Sequence, residues 1–162
     1  MRRLEPARQR YAWGSTSAIP ALLGRADDGD PWAEAWYGSH PAGPAQVTEG
    51  GVLSELIDAE PERLLGEDII WRFGRRLPFL LQLIAPEQPL SLQVHPSQAQ
   101  AAEGYALEAE AGIALDPPCR NYKDPNHTAE MVLPLTRFQA LAGLRAPRRD
   151  VQALAGLASP PP

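Results

Sequence analysis

Proline is the residue that most constrains this chain. It occupies 18 of 162 positions, and with 13 glycines the two breakers take about 19 per cent of the sequence, against a usual share of about 12. Proline fixes φ and donates no backbone hydrogen bond, so helices and strands must fit between the breaks. The excess stays under the roughly 25–30 per cent at which disorder becomes the default, and an apolar share of 44% is near the globular norm. The expectation is one folded domain over residues 1–162, built from short pieces. With 15 cations against 20 anions, a net charge of -5 leaves no basic footprint for nucleic acid or for an acidic membrane surface. The single cysteine, Cys119, excludes an internal disulfide and a CxxC pair, and no base stands beside it to make a catalytic thiol. Met1-Arg2-Arg3-Leu4-Glu5 leads into more charge, and the most hydrophobic stretch, Leu77 to Ala85, is about half the length of a membrane span. The chain therefore reads as a cytoplasmic protein.

The punctuation sets the order of elements. Residues 24–31 and 38–51 are polar and turn-rich, and flank Trp32-Ala33-Glu34-Ala35-Trp36-Tyr37. Leu53, Leu56, Ile57 and Leu64 stand at roughly helical spacing with Pro61 among them, which predicts one or two short helices over 52–65. Pro78 to Ile84 is a short apolar run bounded by prolines, as expected of a strand buried on both faces. Leu90-Ser91-Leu92-Gln93-Val94-His95 alternates, which predicts a strand with Ser91, Gln93 and His95 on one face. Pro96 ends it. Ser97 is placed to cap a helix over Gln98 to Glu110, with Gly112 as its stop, giving a helical segment over 97–112. Residues 116–126 read as a loop, 130–133 as strand, and 138–145 as a strand or short helix. Asp150 opens a last helical pattern through Val151, Leu154 and Leu157, before a frayed Pro160-Pro161-Pro162.

The chemistry-bearing constellation is Gln93-Val94-His95 together with Glu130. Side chains at i and i+2 of a strand share a face, so both can reach one cation above it. Imidazole and carboxylate are ordinary zinc ligands, and an amide oxygen is a weaker one. Spacing alone favours a blander account, in which Gln93 and His95 form a hydrogen-bonded polar patch in a sheet.

The surrounding words change that balance. Tyr11-Ala12-Trp13-Gly14-Ser15, Trp32 to Pro41, Leu77-Pro78-Phe79-Leu80-Leu81, Pro89 to Pro96 and Arg120 to His127 with Glu130 follow in order along almost the whole chain. In this series the sequence resembles the type I phosphomannose isomerases, zinc enzymes on a cupin fold (a double-stranded β-helix, or jelly roll). The resemblance implies a mainly β, incomplete cupin with short helices and a helical insert at 97–112. It also implies isomerisation of mannose 6-phosphate to fructose 6-phosphate through an enediol, with a sugar phosphate as partner and one zinc ion per chain. Gln93, His95 and Glu130 would be three of four zinc ligands. Ser91, Trp13, Glu34 and Lys123 would contact substrate, while the catalytic base stays unassigned. Such chemistry needs a base for an acidified C–H and stabilisation of charge on the sugar oxygens.

The departures from the family pattern carry information too. Gln82 and Thr128 stand where the family has lysines, and neither can neutralise a phosphate. The only histidines are His40, His95 and His127, so the family's downstream histidine ligand has no counterpart here. Each further candidate has a plainer alternative. His127 could be a substrate group or a loop residue bonded to backbone. Glu34 could line a sugar pocket or sit beside a packed indole, Trp13 could stack on sugar or pack in a core, and Ser91 could donate to a phosphate or to a local partner. Arg72, Arg75 and Arg76 could replace the lost lysine charge or form a solvated face. Lys123 could be structural. Two readings compete with a working isomerase. One is a reduced, non-catalytic homologue that binds zinc or a sugar phosphate weakly. The other is a half-cupin that covers its open edges by self-association or with a complementing chain.

Overall fold

The structure, a computed structural model, describes residues 2–115 and 119–143. The chain divides into two compact units, one ending at Gln93 and one beginning at Val94. The expected helix from Asp150, the frayed prolines, and part of the element expected over 138–145 lie outside the described residues.

The first unit holds β1 (Leu4–Glu5), β2 (Ala7–Gln9), α1 (Ala18–Leu22), β3 (Glu34–Tyr37), β4 (Gln46–Val47), α2 (Leu53–Ala59), α3 (Pro61–Leu65), α4 (Glu67–Phe73) and β5 (Leu81–Ile84). Pro6 stands between β1 and β2, where a residue without an N–H breaks the ladder, and the two strands enter different sheets. β1 pairs antiparallel with β4, while β2, β3 and β5 form an antiparallel sheet with β3 in the centre. In that sheet Ala35 lies opposite Arg8 and Leu83, and Trp36 lies opposite Ala7 and Gln82.

Directly opposed residues share a face, so the register sorts the side chains. Ala35, Tyr37 and Leu83 turn to a core built on Ile19 and Trp32, while Glu34, Trp36 and Gln82 turn the other way. Trp32, 5% exposed, lies beneath the guanidinium groups of Arg8 and Arg25, 5.0 and 5.4 Å from its ring. Arg8 forks onto Asp28 at 2.5 and 2.9 Å, which ties the 24–31 loop to the sheet. The same hydrogen bond holds the Asp28 carboxyl well below the usual carboxylate range. Buried Ser15, ahead of α1, accepts from the backbone of Ser17 and Ala18 at 3.4 and 3.3 Å, so its hydroxyl holds the turn that leads into the helix.

The helices predicted over 52–65 form as α2 and α3, split at Glu60 with Pro61 in the first turn of α3, where its missing N–H costs nothing. α1 and α4 are additions to the sequence reading. Gly66 and Gly74, at φ of 81° and 77°, bracket α4 in a backbone region that favours glycine.

In the second unit, α5 (Gln98–Glu110) matches its predicted limits. Ser97 and Gln100 form a reciprocal capping box, and Gly112 leaves the helix at φ 72°. Gly104 makes room for the Tyr122 ring, since a Cβ there would lie 2.4 Å from it.

Three strand expectations are corrected. β5 occupies only the second half of its apolar run and is an edge of its sheet, so it is not buried on both faces; Leu81 is 58% exposed. Residues 90–95 and 130–133 form no strand, and Leu92 and Met131 are 89% and 94% exposed. Alternation suits a strand but does not create one. The ladder needs a backbone-paired neighbour, and neither stretch is a strand of either described sheet. Antiparallel sheet is present as expected, although helix covers more of the described chain than strand does. Among the described residues no helix is long and apolar enough to cross a membrane.

Two outcomes test this packing. A Cβ on Gly14 would fall 2.3 Å from the Ala33 backbone, so Gly14→Ala should destabilise the first unit by about 1–3 kcal/mol, read as a lower urea midpoint. An unchanged midpoint would contradict the close approach. Ser97→Ala should cost about 1 kcal/mol of helix stability, seen as faster amide exchange in the first turn of α5 and not at its C-terminal end.

Candidate functional site

The second unit draws the chemistry-bearing side chains together around the loop that follows α5. Among the described residues no helix or strand follows α5, so side chains hold this loop, and the residue that does most is Arg120, 4% exposed. Its guanidinium donates to the carbonyls of Tyr122 at 2.7 Å, Ile113 at 2.7 Å and Tyr105 at 3.1 Å, and lies 3.1 Å from the Glu108 carboxylate. Glu108 in turn accepts from the Tyr122 N–H at 2.8 Å, the Asn121 N–H at 3.0 Å and the Asn121 side chain at 2.9 Å. Those donors, the Tyr122 N–H first, draw the Glu108 carboxyl below its ordinary value. At the other end of α5, Gln98 donates to the Pro125 carbonyl at 2.8 Å and accepts from the His127 N–H at 3.3 Å. Asp124 closes the turn between them by accepting from Asn126.

The strapped loop forms one wall of a cleft of about 530 Å³, lined by Val94, Pro96, Asn121, Tyr122, Lys123, Asp124, Asn126 and Thr128. Lys123 is the chain's only lysine, and here it lines the cleft with amide and hydroxyl side chains and the carboxylate of Asp124.

In the same unit His95 meets the segment after the loop. Its Nε2 lies 3.7 Å from Glu130 Oε2, and its Nδ1 lies 3.1 Å from Thr128 Oγ1. When Nδ1–H donates to the hydroxyl, Nε2 keeps its lone pair on the side of Glu130, which is how a partner fixes the tautomer of a ligating imidazole. Two zinc bonds of about 2.0–2.2 Å at a tetrahedral angle set nitrogen and oxygen about 3.4 Å apart, so a closure of a few tenths of an ångström fits the pair to an ion. Among the described residues no cluster of three or more His, Cys, Asp or Glu side chains forms. His95 and Glu130 thus bring together one imidazole nitrogen and one carboxylate oxygen, donor types that zinc accepts.

The remaining candidates fall elsewhere. Gln93 and Ser91 are exposed residues at the end of the first unit. Glu34 accepts from Trp36 Nε1 at 2.6 Å on the sheet face that also carries Gln82, across the ladder from Trp36. Trp13 is half-buried and stacks on Tyr11, with ring centroids 5.4 Å apart. His127 donates its backbone N–H to the Gln98 side-chain oxygen at 3.3 Å. Arg72 lies over Phe73, Arg75 faces Glu62 at 4.0 Å and Arg76 donates to the Phe73 carbonyl, so these three are engaged within the first unit. Cys119 is exposed. The sequence reading assigned no role to Arg120, Glu108, Tyr122 or Asn126. Their only signal was that three of them fall within the Arg120 to His127 word.

The family model for phosphomannose isomerase type I, catalytic domain, matches residues 1–147. Mannose-6-phosphate isomerase of Escherichia coli (strain K12) is 42% identical over 150 residues, covering 90% of this chain and 38% of the relative. The Homo sapiens enzyme is 35% identical over 154 residues, covering 88% and 34%. A crystal structure of mannose 6-phosphate isomerase from Salmonella typhimurium bound to fructose 6-phosphate and zinc superposes with a TM-score of 0.72 at 43% identity, over 79% of this chain and 33% of that one. The chain spans little more than a third of the length of these curated relatives. With a family match over nine-tenths of its residues, and relatives more than 30% identical over most of its length, this chain belongs to the type I phosphomannose isomerase family.

Proposed function

We propose that the chain supplies the metal- and sugar-phosphate-binding front part of a zinc-dependent mannose-6-phosphate isomerase, folded as part of a single cupin-type domain in the cytoplasm. The observation that carries this is the 3.7 Å approach of His95 Nε2 to Glu130 Oε2 in the unit that also forms the Lys123 cleft. His95 and Glu130 would hold the ion, Gln93 would add an amide oxygen, and Thr128 orients the imidazole. Zinc bound there would act as a Lewis acid on the sugar oxygens during proton transfer between C1 and C2. The Lys123 ammonium supplies the cleft with positive charge for a phosphate, a task Gln82 and Thr128 cannot perform. Contacts from Trp13, Glu34 and Ser91 to the sugar are supported by the family resemblance alone.

A second reading has its own observation. The exposed apolar side chains of residues 90–94 and 131–135 suit pairing with further strands, from another copy or from a complementing chain. Binding without turnover would then be the property of the chain by itself.

Two measurements test the proposal. Zinc titrated into the metal-free protein should bind near one per chain, and His95→Ala or Glu130→Ala should weaken binding by at least about tenfold, as loss of a ligand does. A coupled assay with mannose 6-phosphate and zinc then separates the readings. Turnover makes the chain an isomerase, and stoichiometric zinc without turnover makes it a binding homologue. Zinc binding indifferent to both substitutions would overturn the site.

A further inference from the structure

We propose that the buried Arg120–Glu108 pair is a positioning device that sets the shape of the cleft wall from Asn121 to Asn126. The use of that wall by a sugar phosphate rests on the functional reading above; the device itself rests on geometry. Both side chains spend their bonds inside the unit. Arg120 joins carbonyls on α5, on the turn after it and on the loop, and Glu108 binds two consecutive loop N–H groups. Neither residue lines the cleft, so neither touches a ligand there. Nor does α5 depend on them to form, because its ends are set by the Ser97–Gln100 capping box and by Gly112. What the pair fixes is the course of the backbone that carries Tyr122, Lys123 and Asn126 into the cleft. The planar fork reaches three carbonyls at once, a geometry that an ammonium group does not reproduce.

The test uses the full chain and two variants, Glu108→Gln and Arg120→Lys, with wild type alongside. Amide exchange is read at Asn121 and Tyr122 and, as a control, in α5. Fructose 6-phosphate affinity is measured by calorimetry in the presence of zinc. Charge-assisted hydrogen bonds of this kind predict exchange at Asn121 and Tyr122 at least about tenfold faster in Glu108→Gln, with α5 protection retained. Fructose 6-phosphate affinity should fall by at least about tenfold in both variants, while zinc affinity stays within about twofold. Parallel loss of α5 protection in both variants would make the pair a general stabiliser and overturn the proposal, as would faster loop exchange with unchanged sugar-phosphate affinity. If wild type itself binds no fructose 6-phosphate, the functional reading fails. The device is then judged on loop exchange alone: it stands if that changes as predicted, and falls if it does not.

Discussion

A buried guanidinium and a carboxylate hold together the part of this chain where chemistry is concentrated. Beyond α5 the second unit has no described helix or strand, and apolar packing there is thin, because Met131 and its neighbours face solvent. Burying the Arg120 charge is costly unless it is paired and hydrogen-bonded. Its bonds to three carbonyls and its ion pair with Glu108 meet that requirement, and in doing so they fix the loop. Truncating Glu108 leaves the Arg120 charge buried without its carboxylate, so loop order and charge pairing stand or fall together.

The first unit obeys a different constraint. β3 lies at the centre of its sheet, and the period of two sends Ala35 and Tyr37 to the core and Glu34 and Trp36 to the opposite face. Small residues bring the layers close, with Gly14 against Ala33, and two arginines close over Trp32. The abundant prolines are tolerated because they fall at breaks, as Pro6 does between two sheets and Pro61 does at a helix start.

What could be read from sequence was what is local. The α5 cap, its stop and the division of α2 from α3 depend on residues within one or two turns, and each follows from residue type. The strands expected at 90–95 and 130–133 have the right alternation, yet pairing is a long-range condition that alternation cannot supply. α1 follows a turn held by buried Ser15 and α4 lies between two glycines, signals that hydrophobic spacing does not register. In the site, the ordered family words pointed to His95 and Glu130. The contact of His95 with Thr128, 33 residues away, and the bonding of Arg120 to Glu108 were not legible, because nothing in either residue's neighbourhood names its partner.

Folding thus brings His95 beside Glu130, residues 35 positions apart in the chain, in the same unit as a cleft bearing one lysine. The most direct test is to map amide and imidazole resonances while zinc, and then fructose 6-phosphate, is added to the isotope-labelled chain. Zinc should shift His95, Thr128 and Glu130 first, and the sugar phosphate should then shift residues 121–128. Shifts centred on His40 or Cys119, with residues 121–128 unmoved, would contradict the account.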